Sequence, residues 1–571
     1  MKLRTALMGA AALAALGAPA FAQTRGEDGN LNILYWQAVS IMNPYLSAGT
    51  KDVEASSLVL EPLARYDEQA NMVPWLAEEI PTLENGGIAE DLMSVTWKLK
   101  EGLLWSDGTP VTANDVVFSW QYCTAEGTGC AQEGKFEGIS NVEAVDDRTV
   151  RITFEQATPF PLVAFVGAQS PILQQAQFAD CLGAASATCT EANTKPVGTG
   201  PFRVVDFAVN DVVTLEANPE YRDPAKPAFA TVTFKGGGDA AASARAVLET
   251  GEFDYAWNLQ LAPDVLASMS QGGQGQVVSA FGTLVERIMI NLTDPSPDLP
   301  EGERSTVAHP HPFLADIAVR EALSLALDRQ TLVEVGYGEA GRPTCNLVPA
   351  PEMFASDDTE CASTYDPERA MQILEEAGYT DSDGDGVRET PDGEPMAIVF
   401  QTSTNPVRQD FQALIKEWWE EIGFSVELRN IDAAVYFGGD PASPDTIEKF
   451  YADVEMYADN FEGTDPTAYL AAYTCDKIPS PETQWQGQNI IRLCDPAYEE
   501  LLTQFQATAE EEERGRLGRA MNEFLTLENH MILGIVDRGR VSAHSNTLEG
   551  VKLNTWDSEL WNVADWTRAD Q

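Results

Sequence analysis

The chain is short of basic residues. Lysine and arginine together number 36 against 89 aspartates and glutamates, so the formal net charge is −53 at pH 7. Phosphate backbones and anionic membrane surfaces repel such a chain, which argues against nucleic acid as a partner. The acidic residues are spread along the whole sequence, and solubility in a salty environment accounts for this spread better than a cationic substrate does.

Several signatures of metal and catalytic sites are missing. The sequence has no Cys-x-x-Cys pair and only four histidines, which argues against zinc and against nickel bound directly by protein side chains. Gly-x-Ser-x-Gly, His-Glu-x-x-His and the Walker A loop are also absent. Paired carboxylates of the glycosidase kind arise by chance among 89 acids and carry no weight. We therefore expect no enzymatic activity.

Long apolar runs are missing too. No later segment approaches the roughly 20 apolar residues that span a bilayer. At the N-terminus, Lys2 and Arg4 precede the short apolar run Ala6–Ala18, and the small-x-small pattern Ala20-Phe21-Ala22 follows. We predict residues 1–22 to be a signal peptide that is cleaved after Ala22, and expect the protein to be exported. With no cysteine near the cleavage point, we expect no lipid anchor.

The eight cysteines lie as neighbours along the chain. An exported protein meets an oxidising compartment, in which cysteines form disulfides. Eight cysteines allow many connectivities, and the sequence alone does not choose among them. We adopt the interpretation that neighbours pair: Cys123 with Cys130, Cys181 with Cys189, Cys345 with Cys361, and Cys475 with Cys494.

The most informative stretch is Ser94–Trp120, SVTWKLKEGLLWSDGTPVTANDVVFSW. Apolar residues alternate with polar ones from Val95 to Leu99, which predicts a half-buried strand. Thr112, with Asp115 three residues later, has the capping pattern that opens a helix. This sequence closely resembles the signature of the family 5 extracytoplasmic solute-binding proteins, the receptors of peptide- and nickel-type ABC importers.

Three further segments carry the same resemblance in matching order. They are PVGTGPFRVVDF (Pro196–Phe207), NPEYRDP (Asn218–Pro224) and LETGEFDYAW (Leu248–Trp257). The likeness covers essentially the whole chain after the signal peptide. It implies an α/β, two-lobed periplasmic-binding-protein fold of type II, in the large peptide-binding class, with an extra subdomain on the first lobe.

Residue patterns independently favour an α/β class. Tyr365–Tyr379 has Asp366 in the N-cap position and Gly378 at its C-terminal end. Apolar residues recur at helical spacing in Asp316–Gly338 and again in Arg408–Ile422, where an alternating strand follows. Helices that lead into strands are typical of this class.

The resemblance implies a discontinuous first lobe. Its core would comprise residues 23–66, 196–295 and 541–571, and its subdomain residues 67–195. Residues 296–540 would form the second lobe. The proline-rich segment Asp294–Pro312 would then be the crossing between the lobes.

Asp459 is the foremost candidate ligand-binding residue. Oligopeptide- and dipeptide-binding relatives have a Trp-x-[Ala/Gly]-Asp-[Tyr/Asn] segment whose aspartate pairs with the α-ammonium of the peptide. Ala458, Asp459 and Asn460 match this segment, whereas Met456 stands where those relatives have tryptophan. Every peptide has an N-terminal cation, so one carboxylate can hold many sequences by a charge-assisted hydrogen bond. The alternative is a surface acid in an acid-rich loop.

The resemblance implies further ligand contacts around a cleft. An extended peptide can hydrogen-bond as an added strand, and closure of the lobes about hinge strands would bury it. Core packing or plain surface is at least as good an interpretation for each implied contact. By position in the family pattern, the backbone contacts would come from Gln37 to Ser40 and from Trp257 to Gln260, and the aromatic walls from Tyr436 and Tyr457.

The segment Thr380–Gly393, TDSDGDGVRETPDG, has two interpretations. Asp381, Asp383 and Asp385 fit the opening of a structural Ca²⁺ loop, with the Val387 carbonyl at the seventh place and Asp392 at the twelfth. A turn rich in aspartate and glycine also forms without metal. No cofactor is otherwise required.

We therefore expect a monomeric periplasmic component of an ABC transporter that captures small peptides and delivers them to an inner-membrane permease. The same fold would suit a non-peptide solute, such as an oligosaccharide, an opine-like conjugate or a metal chelate, because pocket composition and not fold decides the cargo. A secreted hydrolase is the remote alternative.

Overall fold

The computed structural model describes residues 25–47, 49–300, 302–438 and 442–569; the predicted signal peptide lies outside them. No helix in these ranges is long and apolar enough to cross a membrane. The strands are β1 Asn30–Tyr35, β2 Ala64–Tyr66, β3 Met72–Pro74, β4 Ser94–Lys98, β5 Ile139–Ala144, β6 Thr149–Phe154, β7 Phe202–Ala208, β8 Val212–Ala217, β9 Thr231–Gly236, β10 Tyr255–Ala256, β11 Gly275–Ala280, β12 Val285–Ile290, β13 Gly341–Pro343, β14 Ala397–Ser403, β15 Ser425–Ile431, β16 Val454–Asp459, β17 Ile532–Arg538, β18 Arg540–Ser545, β19 Leu548–Glu549 and β20 Thr567–Arg568.

The α-helices connect these strands and cover the sheets. They are α1 Thr50–Ser56, α2 Ala113–Thr124, α3 Gln175–Phe178, α4 Thr190–Thr194, α5 Ala240–Leu248, α6 Pro263–Ser270, α7 Ile317–Leu325, α8 Arg329–Gly336, α9 Glu360–Ser363, α10 Pro367–Glu376, α11 Pro406–Glu421, α12 Ala433–Tyr436, α13 Thr467–Ala471, α14 Pro496–Ala507 and α15 Glu511–Glu523. Short 3₁₀ turns fill several loops, and a π-helical turn, Phe524–Glu528, extends α15.

The first large sheet has the strand order β11-β18-β10-β1-β9-β8-β7. Its strands come from the early, middle and late parts of the chain. Buried ion pairs hold these parts together: Arg65 lies 2.9 Å from Asp557, and Arg540 lies 2.9 Å from Glu54.

The second large sheet has the order β13-β17-β12-β16-β14-β15. β12 lies between β17 and β16 and is buried at every residue. The predicted boundary at residue 295 is therefore wrong for this strand, and the chain crosses between the sheets at residues 281–284. Asp294–Pro312 follows β12 on the second-sheet side, so its proline-rich composition marks a loop and not the crossing.

A smaller sheet, β4-β6-β5, builds a third hydrophobic core together with α2. The predicted cap is present, since the Asp115 carboxylate accepts the Thr112 backbone N–H at 2.8 Å. Tyr45, Leu60, Leu63, Ala64 and Tyr66 also pack in this core. The subdomain thus shares its core with chain that precedes residue 67.

The glycine-rich segment before β7, in which the chain enters the first sheet again, packs closely against Val59. A Cβ atom at Gly198 would lie 1.9 Å from the Val59 carbonyl oxygen. Only glycine allows the two backbones to approach in this way. The turn then leads into β7, as the sequence pattern predicts.

Four disulfides join the sequence neighbours, as predicted. They are Cys123–Cys130, Cys181–Cys189, Cys345–Cys361 and Cys475–Cys494.

Candidate functional site

The two large sheets adjoin where the ends of β16, β12 and β17 lie side by side. Val285 pairs with Asp459 on one side and with Asp537 on the other. Paired residues in an antiparallel sheet present their side chains on the same face, and residues two apart on a strand share that face. We call the surface formed by Val285, Arg287, Tyr457, Asp459 and Asp537 the junction face.

Asp459 forms an ion pair on this face with a buried arginine. Arg287 Nη2 lies 2.7 Å from Asp459 Oδ2, and the side chains are 1% and 44% exposed, respectively. Tyr469 accepts a hydrogen bond from Arg287 Nη1, and the Arg287 guanidinium lies 5.0 Å from the ring centre of Tyr457. Asp459 Oδ1 accepts the backbone N–H of Asn460 at 2.9 Å. Arg287 thus holds one carboxylate oxygen, while the carboxylate as a whole stays half-exposed.

The strand that carries Asp459 has an edge without a partner strand. β14 pairs with β16 only along residues 454–456, and the Thr402 hydroxyl donates to the Met456 carbonyl at 2.6 Å. On that side, no strand of the described chain pairs with Tyr457–Asp459. The backbone edge beside this half-exposed carboxylate thus has no partner strand among the described residues.

The opposite face of β12 carries a second, fully buried ion pair. Glu286 Oε1 accepts from Arg408 Nε at 2.6 Å, and Glu286 Oε2 accepts from the Tyr337 hydroxyl at 2.9 Å. Burial alone would raise the pKa of Glu286, but Arg408 holds it below its usual value. Gln260 adjoins this group, 2.8 Å from Asn405 and 3.3 Å from the Tyr337 hydroxyl. Gln260 thus joins the first lobe to the second.

The loop after Asp459 also touches both lobes. The Gly463 N–H donates to the Trp556 carbonyl at 2.8 Å. Glu462 Oε2 lies 3.3 Å from Lys135 Nζ and accepts the Gln169 backbone N–H at 3.1 Å. Burial raises the pKa of Glu462. The candidate carboxylate thus precedes a segment that is anchored across the junction.

The sequence model described as "Bacterial extracellular solute-binding proteins, family 5 Middle" matches residues 71–479. The match covers well over half of the chain and runs from the subdomain through Asp459. The chain belongs to this family.

Known proteins of similar sequence and fold agree with the assignment to family 5. The chain is 23% identical over 510 residues to the dipeptide-binding protein of Pseudomonas aeruginosa, a match covering 85% of this chain and 86% of that protein. Its fold is similar to that of the oligopeptide-binding protein AppA from Bacillus subtilis in complex with a nonapeptide, with a TM-score of 0.78 and 21% identity over 96% of this chain and 100% of AppA. It is also similar to that of NikZ from Campylobacter jejuni in complex with Ni(L-His), with a TM-score of 0.77 and 21% identity over 95% of this chain and 100% of NikZ.

The other predicted site residues of this family 5 protein do not all lie near Asp459. Ser40 is held by Asp52, whose Oδ2 accepts the Ser40 hydroxyl at 2.9 Å, and Gln37 is half-buried beyond β1. Trp257 stacks on Tyr35 with ring centres 4.6 Å apart, and Tyr436 is fully buried. Trp257 and Tyr436 both pack in hydrophobic cores of the described structure. Tyr457 and Asn460 do lie beside Asp459.

The aspartate-rich segment folds back on itself as a turn. Asp381, Asp383 and Asp385 gather with Glu389, their nearest carboxylate oxygens lying within 4.8 Å of one another. Asp392, the predicted twelfth-position ligand, is not in this group, because Thr380 pairs with Glu389 and brings that carboxylate over the turn. Asp381 already accepts the Gly384 and Gly386 N–H groups, and Asp385 accepts that of Val387.

Three residues of the junction face were not predicted, namely Val285 and the two charged residues Arg287 and Asp537. The two charged residues lie inside mostly apolar strands, in VERIMI and ILGIVDR respectively. Charged residues within mostly apolar strands were the available signal, because a buried charge needs a partner or a function.

Proposed function

We propose that the chain is the substrate-binding component of an ABC importer, and that it holds small peptides between its two lobes. Support comes from the unpaired edge of Tyr457–Asp459 beside a half-exposed carboxylate. A peptide extends this edge by backbone hydrogen bonds, and its α-ammonium binds Asp459 while Arg287 fixes the other carboxylate oxygen. The peptide-binding names of the similar proteins support the same cargo.

The protein acts outside the inner membrane in this proposal. Residues 1–22 direct export and are removed, and the mature protein works as a monomer. Hinge closure of the lobes buries the peptide, and a permease in the inner membrane receives it. The protein performs no chemistry on its ligand and returns it unchanged.

Calorimetric titration with tri-alanine and N-acetyl tri-alanine tests this function. Removing one partner of a buried charge pair costs about 2–5 kcal/mol, so we expect acetylation to weaken binding at least tenfold. Equal affinity for both peptides would show that Asp459 does not bind the α-ammonium group, although peptides would still be the cargo. If neither peptide binds, the peptide cargo is wrong and a non-peptide solute takes its place.

A further inference from the structure

Asp537 is a second carboxylate on the junction face. It lies two strands from Asp459, with Val285 of β12 between them. At the usual strand spacing, the Cα atoms of the two residues are about 10 Å apart. β17 ends one residue later, where Gly539 joins it to the first sheet. Asp537 therefore lies at the crossing between the lobes, on the same face as the proposed ammonium site.

Asp537 is a largely buried carboxylate with one weak ion pair. Its side chain is 13% exposed, and Oδ1 has no hydrogen-bond partner among the described residues. The closest cation is Arg342, whose Nη1 lies 3.9 Å from Oδ2, but that side chain is 63% exposed and its guanidinium lies 3.8 Å from the ring centre of Phe281. Burial raises the pKa of Asp537 to about 6. A buried carboxylate in such surroundings is unfavourable until a cation reaches it.

Neighbouring acids at this junction differ from Asp537 in having dedicated cations. Glu286 has Arg408 at 2.6 Å, and Asp459 has Arg287 at 2.7 Å. Each of these acids thus has a buried arginine within hydrogen-bonding distance. Asp537 has instead one exposed arginine at 3.9 Å, so its negative charge is the least compensated of the three.

We propose that Asp537 is a specificity-determining residue that binds a cationic side chain of the cargo. The proposal rests on the peptide-binding function and makes basic peptides, carrying lysine or arginine, the preferred class. Asp459 receives the α-ammonium, and Asp537 receives the ammonium or guanidinium group of a side chain. To join both carboxylates, the ligand crosses β12 over the junction face, about 10 Å at the usual strand spacing, so only its N-terminal residue pairs with the edge of β16 and the lysine side chain reaches across.

Two tripeptides of nearly equal size separate this contact from the rest of the site. Ala-Lys-Ala and Ala-Gln-Ala share backbone and terminal charges and differ in the side-chain cation. We expect the wild-type protein to bind Ala-Lys-Ala at least tenfold more tightly. Asp537→Asn is expected to remove this preference and to change the affinity for Ala-Gln-Ala less than threefold.

The control is Asp206→Asn on β7, an exposed aspartate at the edge of the first sheet that makes the same change of charge. It is expected to keep the preference for lysine. Melting temperatures show that the variants fold, and Asp537→Ser replaces Asp537→Asn if the latter does not. A wild-type protein without preference, or an Asp537→Asn variant that retains it, overturns the proposal.

A diamine distinguishes failure of this proposal from failure of the peptide function. If no peptide binds the wild-type protein, the same variants are heated with 1,5-diaminopentane. A rise in melting temperature that Asp206→Asn retains and Asp537→Asn loses supports the cation site without peptide cargo. Equal melting temperatures with and without the diamine in every variant overturn it.

Discussion

At the residue scale, the ion pair of Asp459 with Arg287 links ligand binding to stability. Arg287 is 1% exposed, so removing the charge of Asp459 leaves a buried cation without its carboxylate. Breaking a buried pair in this way costs about 3–5 kcal/mol. Because Asp459 is itself 44% exposed, screening by water reduces the expected loss to about 1–3 kcal/mol.

Asp459→Asn should therefore lower the free energy of unfolding by this amount, measured by urea denaturation of the ligand-free protein. Arg287→Met combined with Asp459→Asn should recover part of the loss, because no buried charge is then left unpaired. If Asp459→Asn is as stable as the wild type, Asp459 does not neutralise Arg287.

Glu455, on the same strand, should make stability depend on pH. Burial raises the pKa of Glu455 from about 4.5 to about 8, although Gln401 Nε2 donates to its carboxyl at 2.6 Å. A raised pKa means that the folded protein binds the proton more tightly than the unfolded chain does. This contribution to stability is complete below pH 4.5 and is lost as the pH rises through 8.

Glu455→Gln keeps this side chain uncharged at every pH. Between pH 5 and pH 8 the wild type should therefore lose on the order of 3 kcal/mol more unfolding free energy than the variant does. Other titrating groups are common to both proteins and cancel in the comparison. Urea denaturation at the two pH values measures it, and identical losses would show that Glu455 does not hold the proton.

Single residues of the site were only partly predictable from the sequence. Asp459 was found through a motif that is continuous along the chain. Arg287 lies far from Asp459 in sequence and reaches it only because β12 pairs with β16. Trp257 and Tyr436 had the chemistry expected of a cleft, but burial decides their role, and burial depends on packing between distant segments.

At the element scale, capped helices and alternating strands were predicted well because their signals are local. The helix Pro367–Glu376 begins after Asp366, whose carboxylate accepts the Arg369 N–H at 2.9 Å. The apolar pattern of Asp316–Gly338, in contrast, is divided between α7 and α8, because Asp328 caps a new helix through the Thr331 N–H. The sheet to which β12 belongs was mispredicted, because composition marks loops but not strand partners.

The aspartate-rich turn near Asp381 is either a Ca²⁺ site or a turn that forms without metal, and chelation distinguishes the two. The Asp381 carboxylate is already engaged by backbone N–H groups, and the three aspartates are exposed. We therefore expect EDTA to leave the melting temperature unchanged, as a turn that needs no metal requires. A fall on chelation that added Ca²⁺ reverses would instead assign Asp381, Asp383, Asp385 and Glu389 to a calcium site.

At the scale of the whole molecule, the chain has the fold of family 5. Four disulfides link neighbouring cysteines, and the first sheet is built from strands that are far apart in the sequence. The cargo is not determined by the fold alone. It depends on the small region where the ends of β12, β16 and β17 lie together between the lobes. The rest of the chain holds these ends in register.

Native mass spectrometry of the protein purified from its own cells tests whether the cargo is a peptide. Molecules that co-purify are released and identified by fragmentation. We predict a series of short peptides with free N-termini, enriched in lysine and arginine. A single non-peptide mass would keep the fold and contradict the peptide cargo.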